Sequence, residues 1–312
     1  MDRSDLLTVA EEKGLQGKLL RDEPLCRHTS YRIGGPADLY IVVENVEQLC
    51  GWVGAARELK EPYMIMGGGT NLLVADKGFR GLVIENRCPD FALDVESQIV
   101  RAQTGVSVAS LARKTANQGF RGLEWAIGIP GTVGGSIVNN AGAFDRAVAD
   151  VLRQFTVLDK KGQIRTLTGE QAEFGYRSSR FRSRESDGEV ILSTEFTLAP
   201  ESRRVLRERM AQYRALRRAS QPRQPSAGSV FKNPPGSSAG QLIEQAGLKG
   251  KTVGNAQVSP EHANYIVNLG KAKAKEVLEL IELTRLEIWQ RFQVELELEI
   301  ELVGEWEKAA TI

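Results

Sequence analysis

The chain has 312 residues, of which 41% are hydrophobic and 26% charged, with a formal net charge of +1. That balance excludes an extensively disordered chain and leaves no whole-molecule field to attract nucleic acid or an anionic membrane surface. Three scattered cysteines, Cys26, Cys50 and Cys88, form no CxxC pair, which argues against a disulfide framework or zinc site and for a reducing compartment.

The opening MDRSDLLTVAEEKGLQGKLL carries acids and no apolar run. It is therefore expected to be a short helical lead-in and no signal peptide. ADLYIVV (37–43) reads as a strand, VEQLCGWVGAARELK (46–60) as a helix, and PYMIMGGG (62–69) as a strand entering a glycine run. Strands follow at 81–85 and 99–105. In SVASLARKTANQG, Val108, Leu111, Ala112 and Thr115 share a helical face, with Gly119 as its stop. RQFTVLDKKGQIRTL (153–167) has two strand-like arms around a Lys-Gly turn, a predicted hairpin, and VILSTEFTLAP (190–200) is one more strand. Helices and strands mix without a regular βαβ period, so α+β is favoured over a doubly wound sheet.

RRVLRERMAQYRALRRAS (203–220) places Leu206, Met210 and Tyr213 on one helical stripe, and its arginines read as a solvated face. QPRQPSAGS (221–229) looks like a domain junction. A last helix carries Leu278, Ile281, Ile288 and Phe292 into VELELEIEL (294–302). There Val294, Leu296, Leu298, Ile300 and Leu302 alternate with Glu295, Glu297, Glu299 and Glu301, which predicts a strand with one buried and one solvated face. Local reasoning cannot single out one of the four carboxylates.

Two glycine segments point to an anionic ligand. In MGGGTNLLV (66–74), Gly67, Gly68 and Gly69 let backbone N–H groups approach an anion, followed by Thr70, Asn71 and Leu72. The lysine of a Walker loop and the helix of a Rossmann fingerprint are both missing from it. GIPGTVGGSIVNNAGAF (128–144) contains Gly128, Pro130, Gly131, Gly134, Gly135, Asn139, Ala141 and Gly142. Ile127, Ile129, Val133, Ile137 and Val138 could line a flat ring, and Asn139 and Asn140 could bond to it. Such a pair of loops suits a dinucleotide whose pyrophosphate rests on backbone amides.

Taken in order, IGGPA (33–37), the two glycine segments, FGYRSSRF (174–181), GSVFKNP (228–234) and the LELE-containing tail resemble the UDP-N-acetylenolpyruvoylglucosamine reductases, in their shorter subclass. The resemblance implies a two-lobed FAD-binding domain of the PCMH/vanillyl-alcohol-oxidase type plus a smaller α+β substrate-binding domain. It implies a lead-in at 1–24, FAD-binding lobes at 25–90 and 91–200, a substrate-binding domain at 201–293 and a closing strand at 294–312. The implied chemistry is NADPH-dependent reduction of an enolpyruvyl ether on UDP-N-acetylglucosamine through tightly but non-covalently bound FAD.

By the same resemblance the catalytic residues are Arg177 on the substrate carboxylate, Ser229 as proton donor and Glu299 beside the carboxylate. Tyr176, Lys232 and Asn233 would bind substrate, and the residues just named in the two glycine segments would bind FAD. VGNAQVSPEHANYIVNLGKA (253–272) also resembles the family; His262 within it reads as structural, and His28 stands where many relatives carry asparagine. Two histidines make no metal constellation. A cytoplasmic monomer without nucleic-acid or membrane partners is expected. An FAD-dependent oxidase and a non-catalytic flavin- or nucleotide-binding protein remain open alternatives.

Overall fold

The computed structural model describes residues 4–182 and 188–306. Residues 1–3 of the expected lead-in and 307–312 of the expected closing segment lie outside the described residues. The chain begins with α1 (Ser4–Glu12), β1 (Leu20–Pro24), β2 (Pro36–Val43), α2 (Val46–Glu58), β3 (Tyr63–Met66), β4 (Leu72–Val74) and β5 (Phe79–Asn86). There follow β6 (Phe91–Asp94), β7 (Ile99–Gln103), α3 (Val108–Asn117), β8 (Phe120–Arg121), α4 (Val133–Val138), β9 (Gly142–Ala143) and β10 (Arg146–Ala147). Next come β11 (Leu152–Leu158), β12 (Ile164–Thr168), β13 (Val190–Thr197), β14 (Ala199–Pro200) and α5 (Arg203–Ser220). The last elements are α6 (Ala239–Gln245), β15 (Thr252–Val253), β16 (Ala256–Val258), β17 (Ile266–Asn268), α7 (Ala274–Phe292) and β18 (Glu301–Val303).

Four of these helices start at a side chain that accepts an otherwise orphaned amide. Asn45, Ser107, Thr132 and Ser238 take the N–H of Gln48, Ser110, Gly135 and Gln241. The lead-in is helical only to Glu12, and β1 occupies the end of the expected segment.

The chain forms two compact units, and neither is contiguous. The first comprises Met1–Leu19, Ile41–Gly68 and Ile84–Arg217; the second comprises Leu20–Tyr40, Gly69–Val83 and Arg218–Ile312.

In the first unit a five-stranded antiparallel sheet has the order β12-β11-β13-β7-β6. Its Val100, Phe155, Val157 and Phe196 share a core with Leu111 and Ala112 of α3 and Val133 and Ile137 of α4. The predicted face of α3 is the buried one, and Gly119 follows the helix at φ +89°. The β11–β12 hairpin has a turn at 159–163, where Asp159 Oδ1 accepts the N–H of Lys161 and of Gln163, each at 2.9 Å. Those bonds, that of Gln163 foremost, hold the Asp159 carboxyl below its usual range. On α5, Leu206 and Met210 are buried, and Tyr213 stacks on Phe144 at 4.1 Å between ring centroids.

The second unit packs α6 and α7 with the antiparallel sheet β15-β16-β17. The buried face of α7 is Val277, Leu280, Ile281, Thr284 and Ile288. Leu278 and Phe292 are only partly buried, so this face is rotated from the expected one. Tyr31, fully buried, donates its hydroxyl to Ile266 O at 2.8 Å, and Asn268 Nδ2 donates to Tyr31 O at 3.0 Å. These bonds fasten the segment leading to IGGPA onto β17.

The expected strand over 294–302 is corrected by the structure. Only Glu301–Val303 is a strand, paired in parallel with β4, while Leu298 forms an isolated bridge with Phe231. The segment changes partner between these points. Glu299 N at 2.8 Å and Ile300 N at 3.5 Å both point to Val230 O, and Glu301 N then donates to Asn71 O at 2.9 Å. Two successive amides directed at one carbonyl interrupt a regular ladder as a bulge does, and the strict inside–outside alternation ends there.

Candidate active site

In the first unit the two glycine segments meet. A Cβ on Gly67 would lie 2.3 Å from Thr132 Oγ1, and one on Gly134 would lie 2.9 Å from Thr104 Cβ. At Gly142 it would lie 2.4 Å from Arg146 O, so all three glycines are required by packing within the protein. Gly128 and Gly131, at φ +78° and +111°, are required by backbone conformation. Gly135 is required by neither. It is exposed, in the first turn of α4, and a Cβ there would meet only Thr132 Oγ1 at 3.7 Å. A helical glycine with room for a side chain costs about 1 kcal/mol relative to alanine. Gly128 and Pro130 of the same segment are also exposed, and Ala141 is half-buried.

The same segment departs from the expected lining. Ile127, Val133 and Ile137 are buried in the protein core, leaving Ile129 and Val138 partly exposed. The amide of Asn140 serves the protein: Nδ2 donates to Gly175 O at 2.9 Å, and Oδ1 accepts from Ala149 N at 3.2 Å. Asn139 donates to Gly135 O at 3.0 Å and accepts from Arg182 Nη1 at 2.8 Å.

These contacts attach the loop that carries Tyr176 and Arg177. Gly175 and Ser178 exchange backbone hydrogen bonds of 3.0 and 3.2 Å, and Ser179 Oγ donates to Val138 O at 2.8 Å. Arg177 sits at the turn with φ +51°, a left-handed conformation disfavoured for a branched or long side chain. Such strain persists where its surroundings enforce it and clusters at functional sites. Tyr176 is 58% exposed, and the Arg177 guanidinium lies 5.8 Å from its ring centroid.

In the second unit Gly69 packs on the segment ahead of IGGPA. A Cβ there would lie 2.1 Å from His28 O, and Ser30 N donates to Gly69 O at 3.0 Å. His28 is locked between Glu23 Oε1 at 3.0 Å and the Tyr40 hydroxyl at 2.9 Å. Its hydrogen bond holds the Glu23 carboxyl below the usual range. This support under the glycine loop has no spacing motif and was not visible in the sequence. Thr70 and Asn71 follow, and Asn71 Nδ2 donates to Glu299 O at 3.1 Å, linking the loop that carries Leu72 to the closing segment.

The residues that follow Ser229 and the segment that carries Glu299 are joined through their backbones. Glu299 N donates to Val230 O at 2.8 Å, and Lys232 N donates to Glu297 O at 2.8 Å. Gly228, at φ +82°, has open space where a Cβ would stand. Among the four alternating carboxylates, Glu295, Glu297 and Glu301 are exposed and Glu299 is not. The bulge at Val230 turns this one residue off the solvated row.

Lys232 and Asn233 already have protein partners. Lys232 Nζ is 2.5 Å from Glu297 Oε1, and Asn233 Oδ1 accepts from Ala239 N at 3.1 Å at the start of α6. His262 is half-buried, its Nδ1 accepting from Asn264 N at 3.2 Å. Desolvation lowers its pKa below 6.5. The unfolded chain therefore takes up this proton first as pH falls, and stability declines below about pH 6.5 until the folded ring also protonates. Wild type should lose more urea resistance than His262→Gln between pH 7.5 and 5.5; equal losses would show that the ring is not held neutral. Among the described residues no group of three or more metal-ligating side chains occurs, and no helix is long and apolar enough to cross a membrane.

Residues 37–168 match the family described as FAD binding domain, and residues 221–303 match the C-terminal domain of UDP-N-acetylenolpyruvoylglucosamine reductase. A protein of Symbiobacterium thermophilum named UDP-N-acetylenolpyruvoylglucosamine reductase 2 is 44% identical over 289 residues, covering 92% of this chain and 93% of the relative. The reductase of Heliobacterium modesticaldum is 41% identical over 295 residues, covering 94% and 93%. The crystal structure of the Thermus caldophilus reductase superposes with a TM-score of 0.78 at 35% identity, covering 92% of this chain and 98% of that one. With sequence and fold alike over nearly its whole length, the chain belongs to the UDP-N-acetylenolpyruvoylglucosamine reductase family.

Proposed function

We propose that this protein is the NADPH-dependent flavoenzyme that reduces UDP-N-acetyl-3-O-(1-carboxyvinyl)glucosamine to UDP-N-acetylmuramate, a step of peptidoglycan precursor synthesis. Family membership over 92% of the chain is the observation that carries this reading. Bound FAD supplies a hydride carrier between NADPH and the enolpyruvyl carbon. In this reading, the exposed glycines Gly68, Gly128 and Gly135, with Pro130 and Ala141, lie against the cofactor. Gly67, Gly69, Gly131, Gly134 and Gly142 shape the loops that make the approach possible. Segments 25–90 and 91–200 contribute to flavin binding, and 201–293 with the closing segment to the nucleotide sugar.

The substrate presents a specific difficulty. Hydride arriving at the terminal vinyl carbon pushes negative charge into an adjacent carboxylate, giving a dianionic enolate that must be stabilised and then protonated. Arg177 is suited to grip the carboxylate because its planar fork meets both oxygens and keeps its charge. Glu299, withdrawn from the solvated row, is assigned to the same group in its protonated form. Ser229, on the segment paired to Glu299, gives its hydroxyl proton to the carbon next to the carboxylate. Tyr176, Lys232 and Asn233 contact the nucleotide sugar, with Lys232 leaving Glu297 to do so. The protein acts as a cytoplasmic monomer.

An anaerobic spectrum tests the whole reading. NADPH should bleach the bound flavin, and the enolpyruvyl nucleotide sugar should restore its absorbance with formation of the lactyl ether. A flavin that NADPH cannot reduce would instead mark a non-catalytic binding protein, and in a parallel aerobic assay turnover of oxygen without the sugar would mark an oxidase.

A further inference from the structure

We propose that Asn264 is the positioning residue for the proton donor of this reaction, acting through the backbone of Val230 and Phe231; the inference rests on the role assigned above to Ser229. Asn264 is 4% exposed and lies against one edge of the segment that follows Ser229. Its main-chain oxygen accepts Val230 N at 2.8 Å. Its side chain then behaves as a second peptide group: Oδ1 accepts Phe231 N at 3.0 Å, and Nδ2 donates to Phe231 O at 2.8 Å. Because Phe231 offers one donor and one acceptor, the partner must supply both at once, and a neutral amide does so without charge.

The opposite edge of the segment, over Val230, Phe231 and Lys232, holds the closing segment. Val230 O accepts Glu299 N, Phe231 bridges to Leu298, and Lys232 N donates to Glu297 O. Asn264 and the closing segment that carries Glu299 thus hold opposite edges of the short segment that Ser229 leads into. Both polar atoms of the Asn264 amide are engaged with Phe231. Its effect is geometric, and displacement of a reacting group by about 1 Å can cost about a hundredfold in rate.

Asn264→Asp makes a discriminating variant because it keeps the volume and changes one donor into an acceptor. When ionised, the carboxylate would oppose Phe231 O and push the segment away; when protonated, its O–H would restore the donor. Burial favours the protonated form and raises the pKa of such a group. The groups facing the position are His262, whose Nδ1 accepts Asn264 N, with Lys249 and Glu244 acting on that ring. Glu297 and Glu299 lie on the paired segment, with Lys232 beside them. Wild type, which carries all of these, is the control for their titration.

The expected result in Asn264→Asp is flavin reduction by NADPH within twofold of wild type. Flavin reoxidation by the enolpyruvyl substrate should fall about tenfold or more at pH 9 and recover toward the wild-type rate as pH is lowered to 6. Should this variant not accumulate as a folded flavoprotein, Asn264→Ser, too short to reach both groups of Phe231, replaces it. In that variant the amides of 229–232 should exchange faster and reoxidation should again slow while reduction is retained. A pH profile parallel to wild type, equal loss in both half-reactions, or wild-type exchange and reoxidation in the serine variant would overturn the proposal. Ser229→Ala separates this failure from that of the underlying reading. If that variant reoxidises normally, the donor assignment itself falls; if it is blocked while the Asn264 variants behave as wild type, only the positioning role falls.

Discussion

Replacing Ser229 with alanine is expected to leave bleaching of the flavin by NADPH intact and to slow its reoxidation by the enolpyruvyl nucleotide sugar by about 10²- to 10⁴-fold, the range contributed by a positioned general acid. The asymmetry follows from the chemistry. NADPH needs no proton delivered to carbon, whereas the enolate left by hydride addition must acquire one before the product can form. A hydroxyl is a weak acid, but on the proposed reading the carbon it would serve is strongly basic, and the adjoining Val230 and Phe231 are fixed by Asn264, which would spare the donor a search. The substitution removes one oxygen from a half-buried side chain in a loop, so folding should be little affected. Stopped-flow traces of the two half-reactions decide the matter, and unimpaired reoxidation would remove Ser229 from the mechanism.

Glu299→Gln is the second large effect, expected at about a hundredfold on the same half-reaction if its protonation accompanies turnover. Glu295→Gln and Glu301→Gln should change it less than twofold. The contrast rests on exposure: Glu295 and Glu301 stand in solvent, whereas Glu299 is partly enclosed where two amides converge on Val230 O. Glu297 is a poor control because its carboxylate holds Lys232. Similar losses in all three variants would mean that the charge of the segment matters and that no single carboxyl group is responsible.

Much of the architecture was legible because it depends on local chemistry. The apolar face of α3 and the hairpin at β11–β12 follow from residues a few positions apart. The glycine segments were legible as glycine-rich, but their reasons were not: Gly67 answers to Thr132, and Gly69 to the carbonyl of His28. Those partners are distant in sequence and leave no periodic trace. The same limit explains the buried Val133 and Ile137, whose spacing suits a ligand wall and a helix core equally well. It also explains the closing segment, where alternation correctly gave the exposure of Glu295 and Glu297 but could not foresee the exchange of partners at Val230. Asn264 was hidden because one asparagine among polar neighbours announces nothing until its amide is seen paired with a peptide.

The interleaving of the second unit has a consequence for biogenesis. Tyr31 waits for Ile266, and Leu72 for Glu301, so the segment at Tyr31 and strand β4 emerge from the ribosome long before these partners exist. Contacts spanning such sequence distances form slowly once the chain is free. Until residues 299–303 have emerged, the nascent chain must therefore carry β4 and the loop at Asn71 without the partners they take there in the folded unit. The second unit should therefore close only after the segment bearing Glu299 and β18 is clear of the ribosome, which makes its folding a late event in the maturation of each molecule.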